Sequence, residues 1–149
     1  MVWTPRVTVA AIIYHQGRYL LVEEEENGNC VRNQPAGHLE EGESLIDAVV
    51  RETLEETGGS LIPASVVGIY RWQHRENKLT FLRFCIHGTL ADPDIDLIPQ
   101  DKDILRAVWL SYSELKQSKH LRSPLVLQCI EDFERGCSYP LDILKENSA

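Results

Sequence analysis

The stretch 37–59 constrains this chain most strongly, because a glycine-rich turn runs directly into a helical pattern that carries three glutamates. Glu52, Glu55 and Glu56 stand at positions i, i+3 and i+4, and at roughly 100° per residue their side chains share one face of a helix. Like charges at this spacing repel each other and destabilise the helix. The cluster therefore predicts either a solvated acidic face or a site for a divalent cation.

Apolar residues on the same helix favour the cation site. By helical periodicity Leu45 and Val49 fall on the side of the glutamates, whereas Ile46, Val50 and Leu54 fall on the opposite side. We therefore expect the helix to be covered on two sides, an environment in which unpaired carboxylates are rare. Mg²⁺, or Mn²⁺ in its place, is the cation that such oxygen ligands suit.

The spacing within this stretch resembles the signature of the Nudix hydrolases, enzymes that act on pyrophosphate-containing substrates. The matching positions are Gly37, Glu43, Arg51, Glu52, Glu55, Glu56 and Gly58. Two apolar positions of the signature differ, because Thr53 follows Arg-Glu and Gly59 follows the last glycine of the signature. Both are packing positions in the family, so the chemistry that the signature implies is unaffected.

The resemblance implies roles for the matching residues. Glu52, Glu55 and Glu56 would hold Mg²⁺ together with the carbonyl of Gly37. Arg51 would orient Glu52, and Glu43 would be a structural or outer acid. The catalytic residues implied are thus Glu43, Arg51, Glu52, Glu55 and Glu56.

A loop over 91–102 precedes the strand expected at 104–110 and is rich in aspartate. In many Nudix enzymes an acid from this loop adds a metal ligand or a general base, and Asp101 or Asp103 occupies that place here. Asp103 is our choice for the additional metal ligand. The general base stays open between Glu55, Glu56 and the aspartate of the loop.

Outside the signature the chain resembles the bacterial NudJ-type phosphatases of that family over nearly its whole length. The segments that carry the likeness are 7–10, 33–40, 81–84, 121–126 and 139–141. Members of that group remove the terminal phosphate from nucleoside tri- and diphosphates, from thiamine pyrophosphate and from its hydroxymethylpyrimidine pyrophosphate precursor. The resemblance implies a small-molecule substrate of the same kind, a nucleotide or a thiamine-type pyrophosphate.

Four side chains are candidates for substrate binding. Trp72 and Arg83 fall on a predicted hairpin, where an aromatic and a cationic side chain would suit an anionic ligand with a flat ring. Packing and surface charge explain the same pair equally well. His38 could donate a hydrogen bond to phosphate or be solvated. Arg32 stands where relatives can carry an aromatic residue before Asn-Gln-Pro-Ala-Gly, so ring recognition is expected to differ.

The order of elements predicts an α/β fold of the Nudix type, a mixed sheet between helices in an α/β/α sandwich, as a single domain over 1–149. Glu23 to Glu26 are expected to run out into a solvated loop, although Glu23, at the strand end, could face a metal-bound phosphate. The predicted strands cover 6–14, 18–23, 66–74, 79–88 and 104–110, and the predicted helices follow Ser44, cover 111–115 and cover 124–135.

The net charge and the cysteine content of the chain limit the partners and the cellular compartment that we expect. A formal net charge of −8 disfavours a nucleic-acid backbone as partner and requires cations wherever an anionic substrate binds. The four cysteines lack metal-binding or CxxC spacing, which predicts reduced thiols in a cytoplasmic protein. No apolar run is long enough for a membrane span. We expect a monomer, with a dimer as the alternative.

Two other functions stay open. A pyrophosphohydrolase acting on a nucleoside diphosphate derivative would use the same residues and release a nucleoside monophosphate. ADP-ribose-type relatives often carry a proline past the signature, where this chain has His74 and Arg75. A non-catalytic binding module is the other alternative. It is disfavoured because adjacent carboxylates on one helix face cost stability without a cation to bind.

Overall fold

The computed structural model describes residues 1–147. No helix in this part of the chain has the length and apolar character to cross a membrane. The strands are β1 (Arg6–His15), β2 (Arg18–Glu26), β3 (Asn29–Asn33), β4 (Ala36–His38), β5 (Leu61–Gln73), β6 (Thr80–Leu90) and β7 (Ile104–Leu110). The helices are α1 (Leu45–Thr57), α2 (Tyr112–Lys116) and α3 (Pro124–Glu134), with a short 3-10 helix at Leu141–Ile143.

The strands form one mixed sheet in the order β3-β2-β1-β6-β5, with β4 paired to β1 and β7 paired to β2. β1 and β6 run parallel, and the other strand pairs are antiparallel. The first half of β1 pairs with β4, and its last residues, Tyr14 and His15, pair with β2. β1 is therefore the strand that joins the two parts of the sheet.

Helices cover both faces of this sheet. On one face, Ala48 and Val49 of α1 belong to a buried cluster with Ile86 of β6. On the other face, Val126 and Ile130 of α3 belong to a second buried cluster, with contributions from α2 and from five of the strands. The α/β/α sandwich that the sequence predicts is thus confirmed, and it leaves the edge at β4 as the place where α1 meets the sheet.

Local sequence determines both ends of α1. The Ser44 side chain accepts a hydrogen bond of 3.0 Å from the Asp47 N–H, which is the expected N-cap. Gly58 follows the helix with φ of +81° and donates its N–H to the Leu54 carbonyl at 2.8 Å. The helix thus begins and ends where the sequence predicts.

The burial of α1 differs from the prediction of two covered sides. Leu54 is 39% exposed, whereas Ile46 and Val50 are only partly buried. One face alone is fully covered, because the sheet lies against only that side of the helix. The buried residues on it are Ala48, Val49, Glu52, Thr53, Glu56 and Thr57.

Thr53 fits its apolar environment because its hydroxyl is satisfied within the helix. It donates to the Val49 carbonyl at 2.8 Å, and the Thr57 hydroxyl donates to the Thr53 carbonyl at 2.7 Å. Hydroxyls bonded in this way bring no unpaired donor into the core. The departure from the family signature is therefore accommodated without a change in the helix.

The prediction of a loop over Glu23–Glu26 is wrong. These residues continue β2, and together with Val22 they pair with β3 over Asn29–Asn33. The turn between the two strands is Asn27-Gly28, with φ of +52° and +81°. Such a two-residue turn matches the right-handed twist of paired strands, so it holds the charged run in the sheet. β5 is also longer than expected, because it begins at Leu61.

Gly58 offers a test of how the loop before β7 packs on α1. A Cβ at Gly58 would lie 2.7 Å from the Ile98 carbonyl oxygen, whereas a Cβ at Gly136, which follows α3 with a similar positive φ, would meet nothing within 4 Å. Gly136→Ala is expected to cost about 1–2 kcal/mol for the left-handed conformation alone. Gly58→Ala is expected to cost at least about 1 kcal/mol more, as overpacking does. Urea unfolding measures both, and equal losses would contradict the close packing of Ile98.

Candidate active site

Two glutamates of α1 lie buried at the edge formed by β4. Glu52 is 8% exposed and Glu56 is 6% exposed, and both line one cavity. Glu55 differs, because its side chain is 42% exposed and it is not among the lining residues of that cavity. The structure therefore brings two of the three predicted glutamates together and leaves the third on the more exposed side of the helix.

Arg51 contacts the carboxylates around it. Its guanidinium donates to Glu52 at 2.8 Å, to Glu55 at 3.2 Å, and to both oxygens of Glu43 at 2.7 and 3.0 Å. It also donates to the His38 carbonyl at 3.1 Å. These contacts tie the turn before α1 to the glutamates, which is the geometry needed by a residue that orients Glu52. The hydrogen bond from Arg51 also lowers the pKa of Glu43.

Glu56 lies in a setting that disfavours its charge. Burial raises the pKa of Glu56 to about 9, and repulsion from the neighbouring Glu52 acts in the same direction. A 2.9 Å hydrogen bond that the carboxylate accepts from the Ala36 N–H lowers the pKa and offsets part of this effect. Burial also raises the pKa of Glu52, against the opposing effect of Arg51. Two neighbouring acids whose pKa values are raised by burial are a frequent mark of a functional site.

The backbone at Gly37 closes one side of this pair. A Cβ built at Gly37 would overlap the Glu52 carboxylate, so only glycine lets β4 approach so near. Carboxylates packed against bare backbone form a donor set suited to a hard cation. Within residues 1–147, however, no group of three His, Cys, Asp or Glu side chains is arranged to hold a metal ion. Glu52, Glu56 and the Gly37 backbone are therefore the part of the predicted set that the fold assembles.

The cavity beside these carboxylates has a volume of about 630 Å³. His38, Trp72 and Arg83, three of the predicted substrate-binding residues, line it. The cavity lining also includes Thr8, Glu24, Glu26, Asn33, His74, Asn77, Phe81 and Arg122. The carboxylates, the aromatic side chains and the arginine that the sequence singles out thus share one cavity.

Arg32 and Asp103 lie elsewhere. The Arg32 guanidinium donates to Glu23 at 2.8 Å and to the Ser118 hydroxyl at 2.7 Å, and it does not line the cavity. Asp103 lines an adjoining groove, and its N–H donates to the Asp101 side chain at 2.9 Å. The structure therefore does not bring these two residues to the buried carboxylates.

Glu23 is paired rather than free to face a ligand. It is 2% exposed and accepts hydrogen bonds from Arg32 and Arg106. Burial would raise the pKa of Glu23, but these two arginines hold it below its ordinary value. Glu23 is therefore a buried ion-paired residue of β2.

Its neighbour Glu24 faces the cavity, which sequence reasoning missed. Arg122, on the segment before α3, donates to Glu24 at 3.3 Å and forms an ion pair of 3.2 Å with Glu26. All three line the cavity. The Asn27-Gly28 turn was the available signal, because a strand that reaches this turn must place successive glutamates on opposite faces.

Trp72 and Phe81 form an aromatic wall of the cavity. They are register partners on β5 and β6, and their ring centroids lie 5.8 Å apart at an interplanar angle of 27°. His74 contacts the Trp72 ring edge-on at 5.4 Å. Trp72 is only partly buried, so a face of this wall is available to a flat ligand.

Arg83 is 5% exposed and lies on β6 next to this wall. Its guanidinium donates to the Asn33 side-chain oxygen at 2.8 Å and to the Gln34 side-chain oxygen at 3.2 Å. Gln34 in turn donates to the Val126 carbonyl of α3 at 2.7 Å. Two amide side chains therefore hold the arginine at the cavity.

Comparison with known proteins agrees with this arrangement. The NUDIX domain matches residues 4–128. Phosphatase NudJ of Escherichia coli strain K12 is 40% identical over 140 residues, which cover 94% of this chain and 90% of that protein. The structure of a NUDIX hydrolase from Nitrosomonas europaea is 50% identical, with a TM-score of 0.87 over 97% of this chain and 98% of that one.

A more distant structure supports the fold alone. The MutT NUDIX hydrolase from Burkholderia pseudomallei is 20% identical, with a TM-score of 0.74 over 87% of this chain and 98% of that one. The resemblance inferred from the glutamate spacing is confirmed, as is the prediction of an enzyme that hydrolyses phosphoric anhydrides. Since the family match spans most of its length, the chain belongs to the Nudix hydrolases.

Proposed function

We propose that this chain is a Mg²⁺-dependent phosphatase that releases orthophosphate from nucleoside di- and triphosphates and from thiamine-type pyrophosphates. The observation that carries the proposal is that Glu52 and Glu56, both buried, share one cavity with the cationic side chain of Arg83 and an aromatic wall. The likeness to Phosphatase NudJ of Escherichia coli supports the choice of a phosphatase.

Glu52 and Glu56 are the residues that would hold Mg²⁺, next to the backbone at Gly37. Their burial and mutual repulsion disfavour two negative charges, and a divalent cation removes that penalty. Glu55 would complete the set by a side-chain rotation on the same helix face. When bound, Mg²⁺ neutralises diphosphate charge and acts as a Lewis acid toward the phosphoryl group.

Arg51 keeps Glu52 oriented in this arrangement. Its hydrogen bonds to Glu43 and Glu52 hold both carboxylates in position, so Glu52 does not need to be reorganised when substrate binds. Glu43 receives two of these bonds and is therefore a positioning residue for Arg51.

The substrate would lie with its ring against Trp72 and its phosphates toward the glutamates. In the proposed reaction water attacks the terminal phosphorus and the bond from that phosphorus to the bridging oxygen breaks. The products are orthophosphate and a substrate shortened by one phosphate. A carboxylate of the α1 cluster accepts the proton that water loses.

The proposal extends to a monomer that acts in the cytoplasm on free small molecules. The four cysteines are free thiols in the described residues, and Cys85 and Cys129 are fully buried. Such thiols are typical of a reducing compartment.

Product analysis tests the proposed reaction directly. With Mg²⁺ and GTP, GDP, thiamine pyrophosphate or hydroxymethylpyrimidine pyrophosphate as substrates, we expect stepwise release of orthophosphate from several of them. Separate assays for orthophosphate and pyrophosphate distinguish the outcomes. Pyrophosphate release from a single nucleotide would indicate a specific pyrophosphohydrolase, and no turnover together with no Mg²⁺-dependent stabilisation would indicate a binding module.

Glu56→Gln separates a catalytic role from a structural one. We expect kcat to fall by at least about 100-fold at saturating Mg²⁺, because a ligand charge is lost. Stability in EDTA should stay equal or rise, since the amide oxygen can still accept from the Ala36 N–H and the glutamine cannot acquire a charge beside Glu52. Glu41→Gln, which removes one exposed charge outside the cavity, is the matched control. Full turnover by Glu56→Gln would remove Glu56 from the metal site.

The stability of the metal-free protein should fall as pH rises. The pKa of Glu56 is about 9 when folded and 4.5 ordinarily, so between these values the folded state binds more protons than the unfolded state. Stability then decreases with pH by at most about 1.4 kcal/mol per unit. Glu23 and Glu43, whose pKa values are lowered, act in the opposite direction and below this window.

Urea unfolding in EDTA at several pH values between these limits measures the effect. Glu56→Gln should show a flatter dependence of unfolding free energy on pH than the unaltered chain. Mg²⁺ should stabilise the unaltered chain more strongly as pH rises, because its binding releases the Glu56 proton. An identical pH dependence in both proteins would contradict the buried, protonated state of Glu56.

A further inference from the structure

Arg83 is a buried cation whose hydrogen-bond partners are neutral. Within residues 1–147 no carboxylate oxygen lies within the 4.0 Å salt-bridge distance of its guanidinium nitrogens. Its partners are the neutral side-chain oxygens of Asn33 and Gln34. Burial of an unpaired charge is costly, and neutral acceptors offset only part of that cost. A guanidinium also has five N–H donors, of which these two bonds use two.

The sheet register places Arg83 between the aromatic wall and the carboxylates. Phe81, two residues before it on β6, is about 7 Å away along the strand and on the same face. On the other side, Arg83 is the register partner of Thr8 in β1, and Thr8 is the partner of His38 in β4. The β4 backbone is thus two strand spacings, about 10 Å, from Arg83.

This order indicates which part of a substrate reaches Arg83. When the ring of a diphosphate substrate lies on Trp72 and its terminal phosphate lies at the glutamates, the other phosphate, which is bonded to the organic group, lies between them. We propose that Arg83 binds that phosphate, the one that remains on the product when the terminal phosphate is released. The inference rests on the proposed function for its direction, and it assigns to Arg83 the selection of substrates whose ring carries a diphosphate.

Asn33 and Gln34 are positioning residues for this subsite. Gln34 is 1% exposed and bridges Arg83 to the Val126 carbonyl of α3, so the guanidinium is held from two elements. Neutral amides orient the arginine without cancelling its charge. A carboxylate in either place would form an ion pair with Arg83 and compete with a phosphate for the same donors.

Asn33→Asp tests the subsite while preserving the shape of the site. The aspartate keeps the oxygen that accepts from Arg83 at 2.8 Å and adds a negative charge beside it. Asn77→Asp is the matched control, because Asn77 lines the same cavity and the change adds the same charge away from Arg83. Because Arg83 is buried, replacing it could unfold the chain. The test therefore uses Asn33→Asp and leaves Arg83 in place.

The first readout uses inorganic phosphate as the probe, in EDTA and at constant ionic strength. Thermal unfolding should show stabilisation by phosphate in the unaltered chain and in Asn77→Asp. In Asn33→Asp the affinity for phosphate should be about tenfold lower or weaker still, because a like charge then faces the anion. Equal phosphate affinity in all three proteins, or none in the unaltered chain, would overturn the subsite whether or not the enzyme turns over any substrate.

The second readout is the split between KM and kcat. The retained phosphate is the leaving group, and it gains negative charge as the bond from the terminal phosphorus to the bridging oxygen breaks, so Arg83 should stabilise the transition state at least as strongly as the bound substrate. Asn33→Asp is expected to raise KM for a diphosphate about tenfold and to lower kcat as well, so that kcat/KM falls by more than about tenfold. A merely structural role for Asn33 would leave KM for the diphosphate unchanged, which would also overturn the inference. If no diphosphate is hydrolysed at all, the proposed function fails, and thermal unfolding with inorganic phosphate still tests whether Arg83 binds a phosphate.

Discussion

The burial of two carboxylates side by side is the constraint on which the site depends. Glu52 and Glu56 lie on the buried face of α1, where they are largely removed from water. Arg51 bonds to Glu52 and the Ala36 N–H bonds to Glu56, but burial still raises the pKa of both acids. The proposed divalent cation would resolve this conflict, so the cost of burying both acids and the proposed chemistry have the same origin.

The helix and its caps could be predicted from the sequence because every signal is local. Ser44, Gly58 and the glutamate spacing act over one or two helical turns, and the structure agrees with them. The same locality explains what was missed in β2. The Asn27-Gly28 turn predicts the pairing of Glu23–Glu26 with β3, but the ion pair that Glu23 forms with Arg106 joins residues that are distant in sequence.

The surroundings of the cavity could be predicted only in part, because they come from elements far apart in the chain. The hairpin β5-β6 predicts Trp72 and Arg83 as neighbours, and both line the cavity. Arg122 comes from the segment before α3, and no periodicity links it to Glu24. Arg32 shows the converse limit. Its place beside the Asn-Gln-Pro-Ala-Gly segment predicted a role in substrate binding, whereas the pairing of β3 with β2 places Arg32 opposite Glu23, to which it donates a hydrogen bond.

The cavity is lined by buried basic and acidic side chains, Arg83 on one side and Glu52 and Glu56 on the other, that do not pair with each other. Arg83 bonds to neutral amides, while Glu52 and Glu56 bond to Arg51 and to a backbone N–H. Oppositely charged side chains in one cavity would stabilise the fold by forming an ion pair, and that pair would leave neither charge for a ligand. The sheet prevents it by keeping β1 between β4 and β6. The proposed cation at the glutamates and the proposed phosphate at the arginine would satisfy both groups, and a diphosphate is the ligand that suits this separation.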